Sequence, residues 1–133
     1  MATWTAVPGE SLLVPSGPTG FHLFVVILGP AVFDGYGTAP RVLLTSVCSV
    51  VANVPNDGAC VLAPGCHSFI KVPSFLAYRH MRIEPLSHVD QMAAQGLWKP
   101  QDAFAPAILQ SILAGVCASR LTSREFKRLF DCE

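Results

Sequence analysis

Charge is scarce in this chain. Asp, Glu, Lys and Arg make up 14% of its 133 residues, and nine basic side chains cancel nine acidic ones to a formal net charge of zero. A bulk field of either sign is therefore excluded as the basis of binding. Long apolar runs are also missing: Leu23–Leu28 is too short to span a bilayer, and Pro30 follows it closely. No basic residue precedes Arg41, so the basic start of a secretory leader is lacking. No membrane association and a cytoplasmic location are expected. Half of the residues are hydrophobic, which excludes a disordered chain. The length fits a single domain over 1–133.

Several chemical motifs are absent as well. The five cysteines (Cys48, Cys60, Cys66, Cys117 and Cys132) are odd in number and form no CxxC pair, and the histidines form no HxxxH pair. A structural zinc site is not supported, and the cysteines read as reduced thiols. Gly35 and Gly37 open no helix, so no phosphate-cradling loop is indicated. Paired carboxylates for acid–base work are lacking too. No metal and no cofactor are expected.

What is present is a strand-rich first part and a helical last part. Apolar or β-branched stretches at Glu10–Val14, Phe21–Leu28, Val42–Val51, Cys60–Leu62 and Phe75–Ile83 are separated by Gly/Pro turns and by the Asn53–Gly58 loop. Three helices follow. Ser87-His88-Val89-Asp90 has the form of a capping box. Pro106 suits the first turn of a helix whose stripe is Ile108, Leu109, Ile112, Leu113 and Val116. Thr122-Ser123-Arg124-Glu125 is a second capping box, ahead of Phe126, Leu129 and Phe130. The expected class is α+β: a small barrel or strongly bent antiparallel sheet over roughly 8–85, with helices over roughly 87–131.

Charge is unevenly placed. Residues 67–82 hold Lys71, Arg79, Arg82, His67 and His80 with no acid, which suits an anionic ligand. A regular strand over Phe75–Glu84 would put Tyr78, His80 and Arg82 on one face, roughly 7 Å apart, and Arg79 on the other. Such a row offers stacking, a proton donor and phosphate contact to a single strand. The preceding loop adds His67, Lys71 and Ser74.

The order of elements resembles the PemK/MazF-like toxin family of bacterial toxin–antitoxin systems. Pro8-Gly9-Glu10 with Leu12-Leu13-Val14 is similar to the family's opening strand. Phe21–Leu28 is similar to its next apolar strand, Val42–Ser46 to the strand ending in Thr-Ser, Ser74–Ile83 to a later strand, and Ile108–Val116 to the closing helix. The likeness covers roughly residues 8–118. It implies an SH3-like small β-barrel with C-terminal helices, a homodimer, and metal-independent endoribonuclease action on single-stranded RNA restrained by an antitoxin protein. Thr45 and Ser46 match the family's hydroxyl pair. Family members carry Arg in the loop before the second strand; here it reads Ser16-Gly17-Pro18-Thr19-Gly20-Phe21-His22, where only His22 is in reach of that role.

The residues and the resemblance together name His22, His67, His80, Thr45 and Ser46 as candidate catalytic groups. Lys71, Ser74, Tyr78, Arg79 and Arg82 are the candidate nucleic-acid contacts. The rival expectation is a non-catalytic protein-interaction module on the same barrel, phage- or defence-related.

Overall fold

The computed structural model describes residues 4–18 and 20–132; Thr19 of the loop just quoted lies outside them. Six antiparallel strands form one curled half-barrel sheet. They are β1 (Ser11–Ser16), β2 (Gly20–Ala31), β3 (Arg41–Ser49), β4 (Val61–Leu62), β5 (Ser74–Pro85) and β6 (Lys99–Gln101), in the order β4-β5-β3-β2-β1-β6. The helices are α1 (Leu86–Ala94), α2 (Pro106–Ala118) and α3 (Arg124–Leu129). The chain is thus α+β, with strands mostly ahead of helices.

Side-chain alternation gives the sheet two apolar faces. Leu23, Val25 and Ile27 of β2, Leu43 and Val47 of β3, and Leu76 and Tyr78 of β5 face α2, where Ile112 and Val116 are fully buried. Phe126 and Leu129 of α3 and Phe130 just beyond it close that side. Leu12 and Val14, Phe24 and Val26, and Val42 and Leu44 face the opposite way, against Ala6, Val89 of α1 and Trp98. Burying each such side chain contributes about 1.5–3 kcal/mol. This second cover stops short of the sheet's far end, and the gap it leaves becomes the groove described below.

Three sequence expectations are corrected. β2 does not stop at Gly29-Pro30 but runs on to Ala31 through irregular pairing with β3. Gly29 is required there: its φ is +97°, and a Cβ would lie 2.5 Å from the Arg41 carbonyl oxygen. Helix α1 begins at Leu86 with Pro85 as its cap and no side-chain capping bond, so Ser87 opens no capping box. In α3 the cap is Ser123, whose hydroxyl accepts from the Phe126 N–H; Thr122 is buried instead.

The cysteine expectation is corrected too. Cys117 and Cys132 form a disulfide, which staples the end of α2 to the residues after α3, while Cys48, Cys60 and Cys66 are free. Helix spacing and an odd count give no sign of this pair. Among the described residues no helix is long and apolar enough to cross a membrane.

Candidate functional site

The sheet curl and one irregularity in β5 build the site. Leu44 of β3 pairs with Arg82, whereas Ser46 pairs with Ala77. Thr45 alone on β3 thus faces the four residues Tyr78–Met81 of β5, and the extra residues bulge. Before the bulge, Leu76 and Tyr78 point into the α2-side core; after it, Met81 takes over that role. Arg79 and His80 both fall outside and are exposed. The expected row is therefore corrected: Tyr78 leaves it and Arg79 joins the outward residues.

The outward side of this bulge meets the uncovered end of the second sheet face. Ser16 of β1, His22 and Phe24 of β2, Ser46 and Cys48 of β3, and His80 and Arg82 of β5 line one open groove of about 340 Å³. His22, Phe24, Ser46 and Cys48 share a face because they keep the same parity on neighbouring strands. β3 lies between β2 and β5, so the two histidines project from strands roughly 10 Å apart. The Ser16 hydroxyl is hydrogen-bonded to His22 Nδ1, which leaves His22 Nε2 to the groove. Arg82 is anchored at its mouth: its guanidinium donates to Glu84 Oε2 at 2.5 Å and lies 5.4 Å from the ring centres of both Phe24 and Trp98. A guanidinium carries five N–H donors, so donors remain for a ligand.

Sequence reasoning did not name Ser16 or Cys48. The parity of Ser16 with His22 across the tight turn, and of Cys48 with Ser46, was the available signal. Burial raises the Cys48 thiol above its ordinary value, and a Ser46 hydrogen bond offsets part of this. At neutral pH the thiol keeps its proton, which makes Cys48 a groove wall rather than a nucleophile.

The other candidates lie elsewhere. Thr45 is fully buried, and its hydroxyl donates to the Ala77 carbonyl at 3.3 Å. It supports the bulge from behind. Tyr78 is 1% exposed and donates to the Ile112 carbonyl. Ser74 is buried and donates to Val72, and Lys71 lines a separate small cleft beside it.

His67 is 5% exposed and packs its ring 4.5 Å from that of Phe104. The Phe69 N–H donates to its Nδ1 at 3.0 Å, so the ring hydrogen sits on Nε2, 2.7 Å from the Asp102 carbonyl and 3.0 Å from Ser11 Oγ. The Ser11–His67 pair therefore does not form a nucleophile–base dyad. Ser11 donates to the same Asp102 carbonyl, and the ring has no free lone pair to take a proton. His67 pins the β4–β5 loop to the segment after β6.

Among the described residues, no three His, Cys, Asp or Glu side chains cluster as metal ligands. Comparison with protein-family models, with curated proteins and with solved structures gives no match to this chain.

Proposed function

We propose that the groove binds single-stranded RNA and cleaves it without a metal ion, on an SH3-like barrel akin to the PemK/MazF-like toxins. One observation carries this reading: His22 of β2, Ser46 of β3, and His80 and Arg82 of β5 line a single open groove. Cleavage of RNA by its own 2′-hydroxyl needs a base to take that proton, an acid to protonate the leaving 5′-oxygen, and a cation beside the phosphorane. Two imidazoles, one oriented by Ser16, supply the base and the acid. Arg82 supplies the cation, and the Ser46 hydroxyl donates to a phosphate oxygen. The phosphorus–5′-oxygen bond breaks as the 2′-oxygen–phosphorus bond forms, giving a 2′,3′-cyclic phosphate and a 5′-hydroxyl. A homodimer and an antitoxin protein covering the groove belong to the same reading.

The test is incubation with a long single-stranded RNA in EDTA, comparing the protein with His22→Ala and His80→Ala. Cleavage to cyclic-phosphate ends, lost in both variants, supports the reading; intact RNA at high protein concentration removes its catalytic half.

The rival, a protein-interaction module without catalysis, draws on one observation. Val51, Val54, Val61, Phe69 and Val72 are exposed near the sheet end where Val50 N–H bonds the Pro73 carbonyl. Weak dependence of partner binding on salt would favour it.

A further inference from the structure

A second cavity of about 380 Å³ adjoins the groove and shares His80 and Cys48 with it. Its apolar lining comes from Phe75, Ala77 and Leu121, and its polar lining from Asn56, Asp57 and Arg79. The volume lies at the small end of ligand pockets, about 300–1,000 Å³. The chemistry is asymmetric. His80 stands at the shared border with Arg79 next to it in the chain and in the cavity lining, while the Asp57 carboxylate belongs to the Asn56–Asp57 loop of the cavity. Charge alone would repel a phosphate from that carboxylate and draw it to the Arg79–His80 side. The ring attached to the phosphate's sugar is then the part that enters.

Asp57 is held in place. Its Oδ1 accepts from the Ala59 N–H at 3.0 Å and its Oδ2 from the Ser119 hydroxyl at 2.6 Å. A carboxylate has about four acceptor positions, so each oxygen keeps one. Two adjacent acceptors match a base edge with two adjacent N–H donors. Guanine alone among the four RNA bases has this pattern, from N1 and the 2-amino group. Asn56, exposed and next to Asp57 in the cavity lining, brings amide N–H groups that guanine O6 can accept, and Phe75 offers a surface for stacking.

We propose that this cavity is a nucleobase pocket that selects guanine beside the phosphate held at His80. The inference rests on the RNA-binding reading above and adds to it the base that the site prefers.

The probe is a set of fluorescent pentauridylates, 2′-O-methylated throughout so that they resist cleavage, with the central residue uridine, adenosine, cytidine, guanosine or inosine. Affinities are read by anisotropy. The guanosine probe should bind roughly tenfold tighter than the others, the size of one good base-edge contact. Inosine, which lacks the 2-amino group, should lose most of that preference with the protein unchanged. In Asn56→Ala and Asp57→Asn the guanosine-to-uridine affinity ratio should fall towards one. Equal binding of all five probes, or inosine matching guanosine, overturns the pocket and leaves RNA binding standing. If none of the probes binds, the RNA reading itself fails and the pocket with it.

Discussion

The Tyr78 hydroxyl donates a 2.6 Å hydrogen bond to the backbone carbonyl of Ile112, fastening β5 to α2 just before the strand bulges. The same phenol lies so close to α2 that a Cβ on Gly115 would stand 2.1 Å from its oxygen. This contact takes Tyr78 out of the outward row and fixes where Arg79 and His80 emerge.

Gly115→Ala should therefore destabilise the protein by about 1–3 kcal/mol through overpacking, and Tyr78→Phe by about 0.5–1.5 kcal/mol through the lost bond. Urea unfolding measures both. RNA affinity of folded Tyr78→Phe should match that of the unchanged protein, since the phenol does not reach the groove.

Alkaline pH should weaken the fold through the same residue. Burial raises the Tyr78 phenol well above its ordinary value, with Cys60 and Asp57 adding to the effect. Burial raises Cys60 too. Above the ordinary ionisation of these groups, near pH 9 for the thiol and about 10 for a tyrosine, the unfolded chain releases protons that the folded one keeps. Stability is then fully present below pH ~9 and falls as pH rises beyond it. Unfolding midpoints between pH 8 and 11 should show this decline, and Tyr78→Phe should flatten its upper part.

His67 and His80 should separate cleanly. His67→Ala removes a buried ring that satisfies the Phe69 N–H and the Asp102 carbonyl, and should cost about 2–4 kcal/mol of stability. RNA cleavage by the remaining folded protein should persist. His80→Ala should leave the unfolding midpoint within ~0.5 kcal/mol while cleavage falls by roughly a hundredfold or more.

Arg79 and Arg82 should differ in how they act. Arg79→Ala should reduce the slope of log affinity against log salt by about 0.7, the share of one phosphate contact on a single strand. Arg82→Ala should weaken binding and also lower stability, because its guanidinium packs on Phe24 and Trp98. Titrations at three salt concentrations, with thermal melts of each variant, distinguish them.

The disulfide gives a further expectation. Cys117 and Cys132 are separated by 15 residues, and a closed loop of that length stabilises by about 3 kcal/mol in the chain-entropy account. Cys117→Ser should cost about 2–4 kcal/mol in urea unfolding, matched by treating the unchanged protein with a reductant.

Much of the architecture was legible in the residues. Apolar β-branched stretches marked β2 and β3, Pro106 marked the first turn of α2, and the spacing of Ile108, Ile112 and Val116 marked its inner face. The row at Phe75–Glu84 was misread because alternation assumes a regular ladder. A bulge leaves no local signature, as it depends on how β3 happens to pair. β6 was invisible for a related reason: Lys99-Pro100-Gln101 has no strand-like composition, and only pairing with Ser11–Leu13 makes it one. His67 could not be told from His80 by sequence, because exposure is decided by the distant Phe104 and Asp102. His22, Ser46 and Arg82 were named singly, but their meeting in one groove depends on the sheet's curl.

The most direct measurement is a titration of the isotopically labelled protein with a short, 2′-O-methylated single-stranded RNA, followed by NMR. Resonances of His22, Ser46, His80 and Arg82 should shift together and saturate with one affinity, while His67 and Tyr78 remain still. Shifts confined to the Val51, Val61 and Val72 end of the sheet, or no shifts at all, would contradict the groove as the working surface.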